Sequence, residues 1–255
     1  MSPGVTMIRN IVSFQWSPLY PMIVPVQPYY FVVNYPSGYQ LPTAINLNGR
    51  QKFRNSQEFV QSLLANFKSE RGVYFIPSST FSGDPYGGLE RFWKNAFMWL
   101  FIELFENNHL WTLKPVEKPP DDDGKGTPWE TVIHSAKVRF NCEQANHGWT
   151  SMQGRVVFWF RMLHGIESGF ARGEVVFKLY GQKCERCTSG AFETPLWYPE
   201  EIANAMWNLY SKVAEKFYGR PLDKVVRGLR GGKPRTPHKP ELCQSCSDGL
   251  PCGKF

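Results

Sequence analysis

Hydrophobic residues recur at helical spacing in three parts of the chain. The strongest stripe begins at Leu89 and repeats every third or fourth position, which predicts a helix over residues 89–108. A second stripe predicts a helix over about 199–217, with Pro199 suited to its first position. A weaker stripe over residues 56–68 indicates a short helix.

Between the two long helices the pattern changes to that of strands. Residues 136–141 alternate apolar and charged side chains, and residues 154–162 and 173–180 are rich in valine and aromatic residues. Glycine-containing turns separate the last two segments. We therefore expect three antiparallel strands, and an α+β fold in which a small antiparallel sheet is flanked by two amphipathic helices.

The first part of the chain has a different composition. Proline and tyrosine recur over residues 1–87, which predicts a mostly disordered extension. A cluster of turn-forming residues at 83–88 marks the end of this extension. The folded domain is expected to span residues 88–255.

The helix predicted over residues 89–108 carries more apolar surface than one buried face needs. Either the helix is buried on two sides, or one face meets a partner or a membrane surface. The second explanation makes four aromatic residues candidates for partner contact: Phe97, Trp99, Phe101 and Phe105.

Positive charge is concentrated towards the end of the chain. The net charge is +7, and residues 220–239 include seven basic residues and one acidic residue. This segment fits a solvated linker, or a stretch that binds phosphate groups or an anionic membrane surface.

All six cysteines lie after residue 140, and four of them form CxxC pairs. Two thiolates at this spacing can bind one ion from a tight turn, and pairs across a long gap are typical of zinc sites. Disulfides are the alternative. Zinc is favoured because the N-terminus lacks a signal-peptide pattern, so the thiols are expected to stay reduced inside the cell. No apolar run reaches the roughly 18 residues that a membrane span needs.

Several short motifs occur in a fixed order along the chain, among them Val138-Arg-Phe-Asn-Cys142, Leu179-Tyr-Gly-Gln-Lys-Cys184-Glu-Arg-Cys187 and Cys243-Gln-Ser-Cys246. This order resembles that of the receptor-transporting proteins, which carry a three-CxxC zinc-finger domain. The resemblance covers roughly residues 90–255. It implies an accessory, chaperone-like protein that binds zinc and promotes the folding or cell-surface trafficking of seven-transmembrane receptors.

An RNA-binding zinc-finger protein is the alternative, because related proteins with this cysteine pattern are associated with RNA. Four basic residues of the 220–239 segment would then contact phosphates: Arg227, Arg230, Lys233 and Arg235. Three aromatic residues of the predicted strand region would stack on bases: Trp149, Phe158 and Trp159.

The chain departs from the family at two places. Its first CxxC reads Cys142-Glu-Gln-Ala145, so the second thiol is missing; either His147 replaces it as a ligand, or the site is weakened. Members of the family often continue into a transmembrane tail, whereas this sequence ends at Phe255. We therefore expect a cytoplasmic protein whose contact with the endoplasmic reticulum or plasma membrane is peripheral.

The simplest partition of the ligands gives two structural zinc ions, or one if the first site has lost its metal. The first site would take Cys142, Cys184, Cys187 and either His147 or a solvent molecule. The second site would take His238, Cys243, Cys246 and Cys252. Cross-braced pairings also fit the sequence. Closed sites favour a structural role, and no catalytic motif is found, so no enzymatic activity is expected.

Overall fold

The computed structural model describes the chain over the ranges 24–26, 30–32, 45–46, 53–71, 84–101, 109–167, 170–223 and 237–252. The chain divides into two units, residues 1–52 and 53–255. In the first unit three short strands pair antiparallel in the order β1-β2-β3: β1 (Val24–Val26), β2 (Tyr30–Val32) and β3 (Ile45–Asn46). The sequence predicted no strands there, because segments this short carry no readable alternation.

A mixed five-stranded sheet forms the centre of the second unit. The strands of this unit are, in chain order, β4 (His109–Pro115), β5 (Glu130–Cys142), β6 (His147–Glu167), β7 (Phe170–Tyr180), β8 (Gln182–Lys183), β9 (Phe192–Glu193) and β10 (Leu196–Trp197). The sheet order is β10-β5-β6-β7-β4, and β8 pairs separately with β9. The three predicted strands are confirmed as the antiparallel set β5, β6 and β7. β4 runs parallel to β7 and was not predicted.

β6 is apolar on both faces of the sheet. Val156, Phe158 and Phe160 join the main core on one face, whereas Val157 and Trp159 belong to a smaller apolar cluster on the other. A strand that is covered on both sides is expected to show a continuous apolar run, and this segment does.

The described part of the second unit contains four α-helices: α1 (Ser56–Arg71), α2 (Glu90–Phe101), α3 (Pro199–Tyr218) and α4 (Gln244–Ser247). α3 confirms the predicted helix over 199–217. It ends at Gly219, whose φ of 59° is the left-handed value common after a helix. α2 confirms the first part of the predicted 89–108 helix, and residues 102–108 lie outside the described ranges. Within those ranges, no helix combines the length and hydrophobicity needed to cross a membrane.

α1 packs into the core of the second unit, although the sequence placed it in the extension. Phe59 and Leu63 are fully buried, and the Phe59 ring lies 5.9 Å from that of Trp207 on α3. The compact unit therefore begins at Phe53 and not at residue 88. The short helix predicted over 56–68 is confirmed, but an apolar stripe does not reveal which surface it packs against.

α2 is buried on two sides, which was one of the two explanations for its apolar surface. Phe97 and Phe101 are 5% and 2% exposed, and their rings stack at 4.1 Å. Partner contact through these two side chains is therefore wrong, because they fill the core. Trp99 is half-buried and stacks on Phe53 at 6.2 Å. Phe105 lies outside the described residues.

Candidate metal centres

Two clusters of sulfur and imidazole groups form in the second unit. Within each cluster the ligand atoms lie within 4.8 Å of one another. The first centre consists of Cys142, Cys184 and Cys187; the second centre consists of His238, Cys243, Cys246 and Cys252. All six cysteines are free thiols. The cysteines thus fall into the two groups of the simplest partition, and none of the six forms a disulfide.

A β-hairpin and a strand end build the first centre. β5 ends at Cys142 and β6 begins at its cross-strand partner His147, so four residues form the turn between them. Asn146 closes this turn with a left-handed backbone, φ 42°, which asparagine tolerates better than most residues. Cys184 and Cys187 follow directly after β8, which brings their thiols to the hairpin.

Backbone N–H groups point at the sulfurs of the first centre. Ala145 donates to Cys142 Sγ, and Arg186 donates to Cys184 Sγ at 3.4 Å. The bond from Ala145 lowers the pKa of the Cys142 thiol, but burial and hydrogen bonds with Glu193 and the neighbouring thiols outweigh it and raise the pKa to about 12. A bound cation reverses this balance because it holds the thiolate form. Zinc binding therefore displaces a proton from Cys142.

A compact turn carries most of the second centre. The 3₁₀ turn Pro240–Leu242 leads to Cys243, and α4 places Cys246 on the next turn. The chain then reverses at Gly249, φ 78°, and the Cys252 N–H donates to Cys246 Sγ at 3.5 Å. Burial raises the pKa of the Cys252 thiol to about 12, so zinc displaces a proton here as well.

The donor atoms of the second centre have the spacing of a zinc tetrahedron. Zn–S bonds of about 2.3 Å and Zn–N bonds of about 2.0 Å place two sulfurs about 3.8 Å apart, and a sulfur and a nitrogen about 3.5 Å apart. Cys243 Sγ lies 3.8 Å from Cys252 Sγ, and His238 Nε2 lies 3.3 Å from Cys246 Sγ. Thiolate and imidazole favour zinc over magnesium or calcium. The second centre therefore offers a complete set of three thiolates and one imidazole.

His147 lies beside the first centre. Its Nδ1 is 3.6 Å from Cys184 Sγ, but the ring does not lie within 4.8 Å of all three thiols. A zinc ion bound by the three thiolates would have one further position to fill.

Arg155 and Lys178 join the second centre to the sheet. The Arg155 guanidinium donates to the Ser245 hydroxyl at 2.8 Å and to the Leu250 carbonyl at 2.7 Å. Lys178 pairs with Asp248 at 2.7 Å. The sequence analysis missed both residues, because a basic residue in a strand normally faces solvent. The sequence does hold one indication that these two residues are buried: both lie inside strands whose other residues are apolar on both faces.

A short backbone contact links the two centres. Gln182 pairs with Cys243 in an isolated β-bridge, and the Gln244 N–H donates to the Gly181 carbonyl at 3.1 Å. Gly181 cannot carry a side chain, because a Cβ there would lie 2.6 Å from the Glu193 carbonyl oxygen. The same stretch of chain leads directly into the first centre, so the two centres share one segment of backbone.

The residues predicted to contact RNA fall into two groups. The four basic residues lie outside the described ranges: Arg227, Arg230, Lys233 and Arg235. Phe158 and Trp159 are 0% and 7% exposed, so stacking of bases on these rings is wrong; both side chains fill the two faces of the sheet. Trp149 is half-buried and stacks on the rings of Phe140 and His147.

Comparison with known proteins locates a shared domain over both centres. Residues 135–249 match a family described as a zinc-binding domain, the zinc ribbon of the three-CxxC type. The chain is 26% identical to receptor-transporting protein 4 of Mus musculus over 159 residues, which are 61% of each chain. It is 24% identical to receptor-transporting protein 4 of Homo sapiens over 172 residues, 64% of each chain. It is 26% identical to receptor-transporting protein 3 of Mus musculus over 62% of this chain and 32% of that one. The chain thus spans less than two thirds of these relatives, and no solved structure matches it.

Proposed function

We propose that the chain is an accessory protein that promotes the folding or cell-surface delivery of seven-transmembrane receptors. Its match to the three-CxxC zinc-binding domain and its similarity to receptor-transporting proteins 3 and 4 support this. The observation that best supports this proposal is the position of the zinc-binding domain match in the chain. Residues 135–249 include β6, β7 and most of β5, together with all the ligands of the two centres except Cys252. The proposal therefore rests on the zinc-bearing core that this chain shares with those relatives.

A structural role for zinc fits this function, and we include in the proposal that the chain is not an enzyme. The second centre supplies four protein ligands from one compact turn and the residue that precedes it. Such a closed set leaves no position for a reacting water or substrate. The zinc then stabilises a binding surface and performs no chemistry.

A reducing compartment suits the proposal, because the thiols must stay available to zinc. We place the protein in the cytoplasm, with peripheral contact at the endoplasmic reticulum or plasma membrane. There it can meet the cytoplasmic loops of a membrane receptor during folding or transport.

Trp99 is the described residue of α2 that we assign to partner contact. Phe97 and Phe101 are buried in the core, whereas the Trp99 ring is half-buried. It stacks on Phe53, another partly buried aromatic residue, so the two rings form a small apolar surface. Ile133 on β5 is 46% exposed and provides an exposed apolar residue elsewhere for comparison.

The test measures receptors at the cell surface. A panel of epitope-tagged seven-transmembrane receptors is expressed in cultured cells with and without the chain, and surface receptor is counted by flow cytometry on intact cells. We expect a several-fold rise for some receptors, loss of the rise with Cys184→Ser, and a reduced rise with Trp99→Gln. Ile133→Gln is the matched control and should leave the rise intact.

Total receptor and total accessory protein are measured by immunoblot in the same cells. No rise for any receptor in the panel, with the zinc-loaded protein present at normal levels, would contradict the proposal. A rise that survives Cys184→Ser would separate receptor delivery from zinc.

RNA binding is the second candidate, favoured by the basic residues between 220 and 239. Each phosphate that the segment neutralises on single-stranded RNA should steepen the dependence of log affinity on log salt by about 0.7. Changing Arg227, Arg230, Lys233 and Arg235 to glutamine should then abolish most binding and leave the zinc content unchanged. Salt-sensitive RNA binding together with no effect on any receptor would reverse the order of the two candidates.

A further inference from the structure

We propose that His147 completes the first centre as its fourth zinc ligand, through Nδ1, in place of the thiol that Ala145 lacks. This inference concerns the metal centre alone and does not depend on receptor or RNA binding. With His147 as a ligand, each of the two centres consists of three thiolates and one imidazole.

The segment from Cys142 to Ala145 has the backbone turn of a CxxC pair, although Ala145 has no thiol. The N–H of Ala145 donates to Cys142 Sγ, three residues back. In the intact pair of the second centre, the N–H of Cys246 makes the same bond to Cys243, also three residues back. The backbone at Ala145 is therefore arranged as in a zinc knuckle, but its methyl group cannot bind a metal.

His147 stands where a replacement ligand is needed. It is the cross-strand partner of Cys142, so the hairpin fixes its Cα next to the first centre. Its Nδ1 lies 3.6 Å from Cys184 Sγ, close to the sulfur–nitrogen distance of about 3.5 Å in a zinc tetrahedron. Because the ring is not within 4.8 Å of all three thiols, binding of zinc through Nδ1 would require the imidazole to move towards them.

Aromatic stacking keeps the imidazole beside the first centre. The His147 ring stacks on Trp149 at 5.4 Å with an interplanar angle of 20°. Trp149 is fixed in turn by stacking on Phe140 and by a hydrogen bond from its Nε1 to Gln182 Oε1 at 3.1 Å. Gln182 belongs to the backbone segment that joins the two centres. These contacts therefore fix Trp149, the ring on which His147 stacks.

Glu193 is the competing ligand, since its carboxyl group hydrogen-bonds with the Cys142 thiol. Three thiolates and a neutral imidazole leave one net negative charge on a zinc site, whereas three thiolates and a carboxylate leave two. Cys142 and Cys184 are buried, and a second uncompensated charge is costly in that environment. The charge balance and the sulfur–nitrogen distance both favour His147.

The test counts zinc and measures its affinity in purified full-length variants. Zinc per chain is determined by native mass spectrometry, and affinity by competition with a chromogenic chelator. In His147→Ala, the affinity for one of the two zinc ions should fall. The fall should exceed the about 10–100-fold that follows the loss of an outer-shell partner. His164→Ala, an exposed histidine on the same strand, is the matched control and should bind two ions normally.

Restoring the missing thiol provides the decisive comparison. Ala145→Cys in the His147→Ala background should return the second ion to near its original affinity, and the spectrum of the cobalt-substituted protein should shift towards four thiolates at one centre. Full zinc affinity in His147→Ala alone would overturn the proposal. So would loss of the ion in Glu193→Gln with retention in His147→Ala.

A measurement on the unaltered chain covers the case in which the variants do not fold. The protein is loaded with ¹¹³Cd, and couplings between the metal and the histidine ring nitrogens are recorded by NMR. Couplings at both His147 and His238 are expected. A coupling at His238 with none at His147 would overturn the proposal.

Discussion

Arg155 places a buried positive charge beside the second centre. Three thiolates and Zn²⁺ leave one net negative charge there, which the guanidinium helps to balance. The same group holds the Leu250 carbonyl at 2.7 Å, two residues before the ligand Cys252. Arg155 therefore positions a ligand as well as compensating charge, in the way that outer-shell groups commonly support metal sites.

We predict that Arg155→Met weakens zinc binding at the second centre by about 10–100-fold. The change also removes the donor to the Ser245 hydroxyl oxygen and one of two donors to the Leu250 carbonyl, which keeps its bond from Ser245 Oγ at 2.6 Å. A buried acceptor that loses its donor costs about 1–3 kcal/mol. Chelator competition and urea unfolding measure the two effects. Arg139→Met, at an exposed arginine of β5, is the control. If the two variants show the same zinc affinity and the same stability, Arg155 does not support the second centre.

His134 is a titratable group that the fold holds in its neutral form. Burial lowers the pKa of its imidazole to about 4, from an ordinary value of 6.5. Below pH 6.5 the unfolded chain therefore takes up a proton that the folded chain refuses until about pH 4. The contribution of neutral His134 to stability is full above pH 6.5 and is lost as the pH decreases through this window.

We predict that His134→Phe flattens this part of the stability profile. Up to about 3 kcal/mol of the loss between pH 6.5 and 4 should disappear, because each unit of pKa shift corresponds to about 1.4 kcal/mol. Urea unfolding of zinc-loaded protein at several pH values gives the comparison. Parallel profiles for the original and changed proteins would show that His134 does not titrate in this way.

At the scale of helices and strands, the sequence predicted an element wherever the hydrophobic pattern extended over many residues. α3 and the central strands follow stripes of many residues, and all four were predicted. The bounds of α3 and β7 were predicted within three residues, whereas β5 and β6 begin six and seven residues before their predicted starts. β4 was missed because the short segment around Trp111 shows no sustained alternation. The docking of α1 was missed because its stripe predicts a helix but not a packing partner. Ligand spacing identified both centres, whereas Arg155 and Lys178 depend on tertiary burial that spacing does not reveal.

The place of α1 in the core leads to a prediction about that helix. Phe59 is fully buried, and its replacement in Phe59→Ala should cost about 3–5 kcal/mol of unfolding free energy. Gln61→Ala, on the exposed side of α1, should change the unfolding free energy by no more than about 0.5 kcal/mol. Urea unfolding of both variants tests this. Equal stability of the two would show that α1 is not part of the folded unit.

At the scale of the whole molecule, direct contacts join the two centres to each other and to the sheet. The bridge between Gln182 and Cys243 connects the centres, and Arg155 connects the second centre to β6. Loss of one ligand should therefore spread beyond its own centre. We predict that Cys184→Ser exposes the region from about residue 135 to 252 to proteolysis, which limited digestion with mass analysis would show. A protease-resistant fragment of unchanged size would contradict this coupling.

The count of zinc ions in the purified full-length chain tests the central claim most directly. Native mass spectrometry, with the thiols counted in the same sample, should find two zinc ions per chain and six cysteines outside disulfides. Removal of both ions by a strong chelator should unfold the structure, because metal binding at such sites contributes folding free energy. A folded chain with fewer than two zinc ions, or with its cysteines joined in disulfides, would contradict the account.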